Sequence, residues 1–287
     1  MQHLSNDSQY GSLYVVATPI GNLGDMVPRA VEALQTVNVI AAEDTRHSAR
    51  LMEHFDIKTP MVAYHDHSDE RQTNGLIARL EKGENVALIS DAGTPLVSDP
   101  GYRLVRAVRQ AGIRVIPVPG ACAMIAALSA AGLPSDRFTF EGFLPAKKGT
   151  RQNTLAALKN EERTLIFYEA PHRIAETLVD MAEVFGADRE VAMAREISKT
   201  FETIRSDAVA ELAAWVAADK NQQRGEIVLV VHGAPARDNS ALEAESERVM
   251  GILLEELSVK QAAALGAKLT GQKKKVLYQW ALDNREA

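Results

Sequence analysis

Short apolar, β-prone runs recur in the first part of the chain, LYVVA at 13–17, VNVIAA at 37–42, VALIS at 86–90 and RVIPV at 114–118, and segments with helical spacing separate them. Runs that are apolar on both faces suit strands buried in a parallel sheet, and parallel strands need a crossover between them, usually a helix. The alternation therefore predicts an α/β domain. In the first crossover Asp25 is expected to cap a helix with Pro28 in its first turn, and Val27, Val31 and Leu34 recur at helical spacing. From about residue 136 the pattern changes: FTFEGFLP, TLIFYEA, VAMAREI and GEIVLVVHG read as a second sheet, with helices over 171–184 and 207–218. The expected organisation is a disordered stretch 1–12, α/β domains at 13–130 and 131–235, a polar linker over 234–246, and a small basic helical domain at 247–287. Within that last segment a break at Thr270-Gly271 resembles a helix-turn-helix pair.

With 287 residues, 46% of them hydrophobic, the chain can bury the cores of two domains. Its net charge of −6 is uneven. Residues 258–287 hold six basic and two acidic side chains, a net +4, which leaves −10 for the rest. A basic segment on an acidic body suits focused contacts to RNA phosphate, or else a solvated helix end. One cysteine, Cys122, excludes a disulfide framework and a cysteine-rich zinc site. With no signal-peptide core and no membrane-length apolar stretch, a cytoplasmic protein without membrane association is expected.

The run VALIS ends at Asp91 and gives way to Gly93, Thr94, Pro95, Asp99, Pro100 and Gly101. Such a loop leaves the carboxyl end of a strand, the edge where open α/β sheets bind ligands. Two readings stand: a ligand loop, or turns in which Asp91 and Asp99 serve as caps. After Gly101, Arg103, Arg106 and Arg109 form a stripe while Leu104, Val105 and Val108 face inward. The helix after Gly120 is rich in Ala and Ser and apolar nearly all round, so it is expected to be buried near the junction of the two domains.

Taken together, LYVVATPIGNLGD, IAAEDTRHS, AYHDHS, LISDAGTPLVSDPG, PVPGACA, LPSDRFTFEGFLP, FYEAPHR and RGEIVLVV resemble the tetrapyrrole methylase superfamily, the class III methyltransferases. EDTRHS, SDAGTP, SDRF-x-x-EGFLP and FYEAPHR are similar to the branch that methylates a cytidine ribose 2′-oxygen in the decoding region of 16S rRNA in the small ribosomal subunit. The resemblance implies two α/β domains with S-adenosyl-L-methionine folded into the cleft between them, in a homodimer. It places at the cofactor Pro19, Ile20, Asp91, Thr94, Val97, Gly120, Ala121, Cys122, Tyr168, Glu169, Ala194, Gly225, Glu226 and Ile227. Tetrapyrrole-modifying relatives carry Gly-Asp-Pro where this chain has Gly93-Thr94-Pro95.

Methyl transfer from a sulfonium to a hydroxyl requires no metal, and positioning carries much of the catalysis. A base or a cation near the hydroxyl would help. Asp44, Arg46 and His65 are the candidates for the substrate mouth. For Asp44 a cap on the following helix is the other reading, and His65-Asp66-His67 also has the spacing of a metal pair. The basic candidates for RNA are Arg103, Arg106, Arg109, Lys147, Lys148, Arg151, Arg173, Lys273, Lys274 and Lys275. Tyr64, Phe143 and Tyr168 are candidates for stacking on an extruded base, or for the core. The alternatives are a tetrapyrrole C-methyltransferase, a metal-dependent phosphohydrolase built on Asp44, His65, His67, Asp91 and Asp99, and a non-catalytic ribosome-binding module.

Overall fold

The computed structural model describes residues 10–65, 68, 70–235 and 239–284, with the side chains of 239–244 excepted. Asp66 and His67 lie outside the described residues, as do residues 1–9 of the stretch expected to be disordered. The chain divides into two compact units, Met1–Gly233 and Ala234–Ala287.

The first unit opens with β1 (Ser12–Val16), α1 (Pro28–Thr36), β2 (Val39–Ala42), α2 (Thr45–His54), β3 (Met61–Ala63), α3 (Glu70–Glu81), β4 (Val86–Ile89), α4 (Tyr102–Gln110) and β5 (Arg114–Val118). Every pairing in this sheet is parallel, and the strand order is β3-β2-β4-β1-β5. All four residues of β2 and of β4 are buried, because helices cover both faces. Ala30, Leu34 and Met52 pack with Ile40 and Ile89 on one face. On the other, Leu76, Leu80, Leu104 and Val108 pack with Leu13 and Leu88. Asp25 does not cap α1: it ends a 3-10 turn, Leu23–Asp25, and Val27 precedes the helix with Pro28 in its first turn. Proline has no N–H to leave unpaired at that position, so a side-chain cap is less needed.

The second sheet follows, with α5 (Ala123–Ala131), β6 (Phe138–Phe143), α6 (Lys148–Leu158), β7 (Thr164–Glu169), α7 (Ile174–Phe185), β8 (Glu190–Arg195), β9 (Thr203–Ala208), α8 (Val209–Ala218) and β10 (Ile227–Val231). Its order is β6-β7-β10-β8-β9; only β6 and β7 run parallel. On one face Leu155, Leu178, Met181 and Leu212 pack against Leu165, Phe167 and Leu229. The opposite face is covered by α5, whose Ala127 and Ala131 meet Ala192 and Ala194. Small residues on both sides let helix and sheet approach closely. By packing, α5 thus belongs to the second sheet.

The second unit consists of α9 (Asn239–Glu256), α10 (Val259–Thr270) and α11 (Lys274–Asp283) around Met250, Val259, Ala262, Ala263, Leu277 and Ala281. A capping box between Ser258 and Gln261 starts α10, and Gly271 caps its end. The stretch read as a linker is partly helix, since α9 begins at Asn239; the helix formers Ala241, Leu242, Glu243 and Ala244 outweigh its polar character. No helix of the described residues is long and apolar enough to cross a membrane.

Candidate active site

Loops at the carboxyl ends of β1, β2, β4 and β5 meet those after β6, β7 and β8, and the entry to β10, around a cavity of about 500 Å³. That size lies within the range of roughly 300–1,000 Å³ typical of small-molecule sites. The first sheet supplies Ile20, Glu43, Asp91, Ala92, Gly93, Thr94, Val97, Ser98, Asp99 and Cys122. Phe143, Tyr168, Glu169, Ala170, Pro171, Ile197, Gly225, Glu226, Ile227 and Val228 come from the second, with Ala123 of α5.

Backbone pairing holds the loop after β4 in place. Gly93 N–H donates to the Thr18 carbonyl at 3.0 Å and its own carbonyl accepts from Thr18 N–H at 2.8 Å, which ties the loop to the end of β1. The hydroxyl of Thr94 donates to the Ala121 carbonyl at 3.0 Å, tying it to the end of β5. Gly93 has φ +79°, and a Cβ there would stand 3.3 Å from the Ile20 side chain. Two facing loops repeat one pattern: Leu96 and Ser98, with φ 74° and 59°, flank Val97, while Glu196 and Ser198, with φ 52° and 62°, flank Ile197. Left-handed backbone is disfavoured for residues with side chains and persists where surrounding structure imposes it. In both loops the strain presents an apolar residue to the cavity.

The electrostatics are acidic on one side and apolar on the other. Glu43 Oε2 accepts from Asp91 N–H at 3.4 Å, and Asp91 Oδ1 accepts from Asp44 N–H at 3.2 Å, so the ends of the adjacent strands β2 and β4 are joined. Tyr168 accepts from Met124 N–H at 3.3 Å, and its ring lies edge-on to Phe140 at 4.9 Å and Phe143 at 5.7 Å. Burial pushes its phenol up to about 12, with Cys122 adding to the effect, so the hydroxyl keeps its proton near neutrality. Glu169 is spent internally: it accepts from Thr177 Oγ1 at 2.6 Å and from Ala170 N–H, and it pairs with Arg173, which fixes the turn at Ala170 and Pro171. Across the cleft, Lys199 donates to Glu196 Oε1 and Glu226 Oε2, each at 2.8 Å.

Ten of the fourteen residues placed at the cofactor by resemblance line this cavity: Ile20, Asp91, Thr94, Val97, Cys122, Tyr168, Glu169, Gly225, Glu226 and Ile227. Pro19 lines a neighbouring concavity, Gly120 packs against Ala17, Ala121 acts through its carbonyl, and Ala194 is buried beneath α5. Asp44, Arg46 and His65 do not line the cavity. Asp44 accepts from Arg46 N–H at 2.8 Å and His47 N–H at 3.4 Å as the cap of α2, and these donors hold its carboxyl below the usual value against slight desolvation. Arg46 projects into solvent 3.6 Å from Asp44, and His65 is exposed. Ile197 is a cavity residue that the sequence reading passed over, whereas Glu43 opens the EDTRHS motif and does line the cavity. The first polar position after an apolar strand is the signal for Glu43.

Among the basic candidates, Arg103, Arg106 and Arg109 are exposed on α4, Lys147 and Lys148 lie at the start of α6, and Lys273, Lys274 and Lys275 are exposed at the start of α11. The basic turn at 147–151 proves to be the first turn of α6, which directs Arg151 inward. Its guanidinium is 1% exposed and binds Asp180 at 2.6 Å, so it is withdrawn from any RNA. Arg173 is likewise held by Glu169 and the Leu144 carbonyl. Tyr64 is core, its hydroxyl 3.0 Å from that of Thr73, whereas Phe143 is 56% exposed at the cavity rim. Among the described residues no three His, Cys, Asp or Glu side chains stand close enough to hold a metal ion.

Residues 12–213 match the tetrapyrrole (corrin/porphyrin) methylases, and residues 240–285 match the RsmI C-terminal HTH domain. The ribosomal RNA small subunit methyltransferase I of Pseudomonas aeruginosa is 60% identical over 277 residues, 96% of this chain and 98% of that protein. That of Escherichia coli O157:H7 is 53% identical over 284 residues, 99% of each. The solved uroporphyrin-III-C-methyltransferase of Thermus thermophilus shares the fold, with a TM-score of 0.54 at 24% identity over 77% of this chain and 94% of that one. The chain belongs to the tetrapyrrole methylase family and, within it, to the ribosomal RNA small subunit methyltransferase I group.

Proposed function

We propose that this chain methylates the ribose 2′-oxygen of a cytidine in the decoding region of 16S rRNA within the small ribosomal subunit. As a member of its family the chain is an S-adenosylmethionine-dependent methyltransferase; the acceptor is what is proposed. The observation that carries the reading is identity spanning both units, the terminal helix-turn-helix included, with a protein named for that RNA. The tetrapyrrole alternative calls for a trough of macrocycle size beside the cofactor, and the concavity there is of about 260 Å³.

The cavity residues fit the cofactor. Val97, Ile197, Ile227 and Tyr168 offer apolar surface for the adenine, the backbone at Gly93 comes close without a side chain, and Asp91 and Glu226 offer acceptors. When bound, S-adenosylmethionine supplies a methyl carbon on a cationic sulfur. Glu43 and Asp91 keep the local field negative, which favours a cation at that end. Tyr168 remains neutral and offers a donor, while Val97 and Ile197 line the cavity with apolar side chains from two facing loops.

Lys273, Lys274 and Lys275, with the Arg103, Arg106 and Arg109 stripe, supply phosphate contacts in this reading. We further propose that the protein acts in the cytoplasm as a homodimer. Phe201 and Ile204, exposed beside and on edge strand β9, support an association surface. Mass mapping of the decoding-region cytidine tests the acceptor: the ribose methyl mark is expected to vanish in cells lacking this chain and to return with it. An unchanged mark would refute the reading.

A further inference from the structure

A second concavity, of about 260 Å³, adjoins the cofactor cavity and shares Ile20, Asp91, Ala92 and Glu226 with it. The turn after β1 and the exposed side of α2 complete its lining, with Thr18, His47, Arg50 and Ser90 among the polar groups. At one edge the stem of Lys199 lies so close over Gly21, at φ +154°, that no Cβ fits there. The Lys199 ammonium is already satisfied by Glu196 and Glu226. Arg50 differs: it is exposed and makes no ion pair or hydrogen bond among the described residues. Asp91 Oδ1 accepts from Asp44 N–H, while its Oδ2 has no partner among them.

We propose that this concavity seats the acceptor nucleotide, with Arg50 binding its phosphate and Asp91, on the shared wall, accepting a hydrogen bond from its ribose hydroxyl. The inference rests on the RNA reading above and locates its substrate. Charge and size favour a nucleotide. A free guanidinium at the rim suits a phosphate, and the exposed His47 imidazole beside it suits a sugar or base. The volume is enough for one extruded nucleoside. The shared wall brings the acceptor hydroxyl against the cavity that holds the methyl donor, which is the juxtaposition in-line transfer needs. His47 and Arg50 occupy positions three apart on α2 and so lie on one helix face.

The test measures three quantities for wild type, Arg50→Ala and Arg50→Lys: affinity for unmethylated small subunits without cofactor, methylation kinetics on the same subunits, and cofactor affinity by calorimetry. Arg50→Ala is expected to weaken subunit binding and raise KM about tenfold, and to lower the slope of log affinity against log salt by about 0.7 to 1. Cofactor affinity and kcat stay within about twofold, and Arg50→Lys recovers part of the loss. Unchanged subunit affinity and salt slope in Arg50→Ala, beside an active wild type, would overturn the subsite alone. An equal loss of cofactor and subunit affinity overturns it too, because that marks a structural role. A wild type that methylates no ribosomal RNA overturns the acceptor reading and the subsite together.

Discussion

Asp91 sits where the two concavities meet, and its exchange for asparagine keeps shape while removing charge. Asp91→Asn is expected to lower kcat about 100-fold with subunit affinity preserved, the size usual for losing one positioned proton acceptor; equal loss in KM would place Asp91 in binding instead. Arg151 shows how a charged residue can serve the opposite purpose. With its partner Asp180 also 1% exposed, Arg151→Ala leaves a buried carboxylate only Lys148 at 3.6 Å and the Gln152 amide at 3.0 Å, so unfolding stability should fall by about 1.5–3 kcal/mol. Denaturant titration checks this, and subunit affinity per folded molecule should not change. Both residues stand in polar or basic stretches, and linear spacing alone does not tell a rim residue from a buried one. The deciding information is helical: starting α6 at Lys148 turns Arg151 toward Asp180, a residue 29 positions away. Glu196 carries a pH signature. Desolvation pulls its carboxyl upward, but the Lys199 hydrogen bond, the Glu226 N–H and the nearby cations outweigh it and hold it below the usual 4.5. Its contribution to stability is complete above that ordinary value and is lost as pH falls through the lowered one. Melting curves of wild type and Glu196→Gln should therefore differ at neutrality and converge in acid.

At the scale of elements, the parallel strands were readable because burial on both faces leaves a continuous apolar run, as in Val86–Ile89. Strands β3 and β9 were not readable: Met61–Ala63 is a short edge strand, and Thr203–Ala208 is a half-exposed edge strand carrying Arg205 and Asp207. Edge strands face solvent, so their pattern approaches that of a loop. The SDAGTP loop was legible as a candidate ligand site from its abrupt polarity and glycine content. Its counterpart at Glu196–Ser198 was hidden, because left-handed backbone at residues with side chains is imposed by tertiary contacts rather than by local preference. That strain is itself testable. Ser198 combines φ 62° with a buried hydroxyl that has no partner among the described residues, so Ser198→Gly removes two costs at once and should raise stability by about 1 kcal/mol. The same change frees the loop that presents Ile197, so cofactor binding should weaken, with a less favourable entropy in calorimetry. Gains in both stability and affinity would argue against strain as a positioning device.

Across the whole molecule, chemistry and recognition are assigned to different stretches of chain. The unit ending at Gly233 contains every residue of the cofactor cavity and of the adjoining concavity, whereas Ala234–Ala287 has its own core and exposes Lys273, Lys274 and Lys275 at the start of α11. The latter unit carries eight basic and eight acidic side chains, so its cations act as a local cluster within 258–287, which limits attraction to unrelated polyanions while providing a few phosphate contacts. A single subsite for one nucleotide cannot choose among the many cytidines of a ribosome, so discrimination has to come from contacts outside it. Removing Ala234–Ala287 should therefore leave melting of the remaining unit and cofactor affinity close to wild type, because neither core nor cavity loses a residue. Affinity for small subunits should drop at least tenfold, with a shallower salt dependence. Exchanging only Lys273, Lys274 and Lys275 for glutamine should reproduce most of that drop, since α10 and α11 keep their packing through Ala262, Leu277 and Ala281. If the truncated chain loses cofactor affinity in proportion to subunit affinity, the terminal unit supports the fold and the division of labour fails; if only subunit affinity falls, it is the module that addresses the enzyme to its RNA.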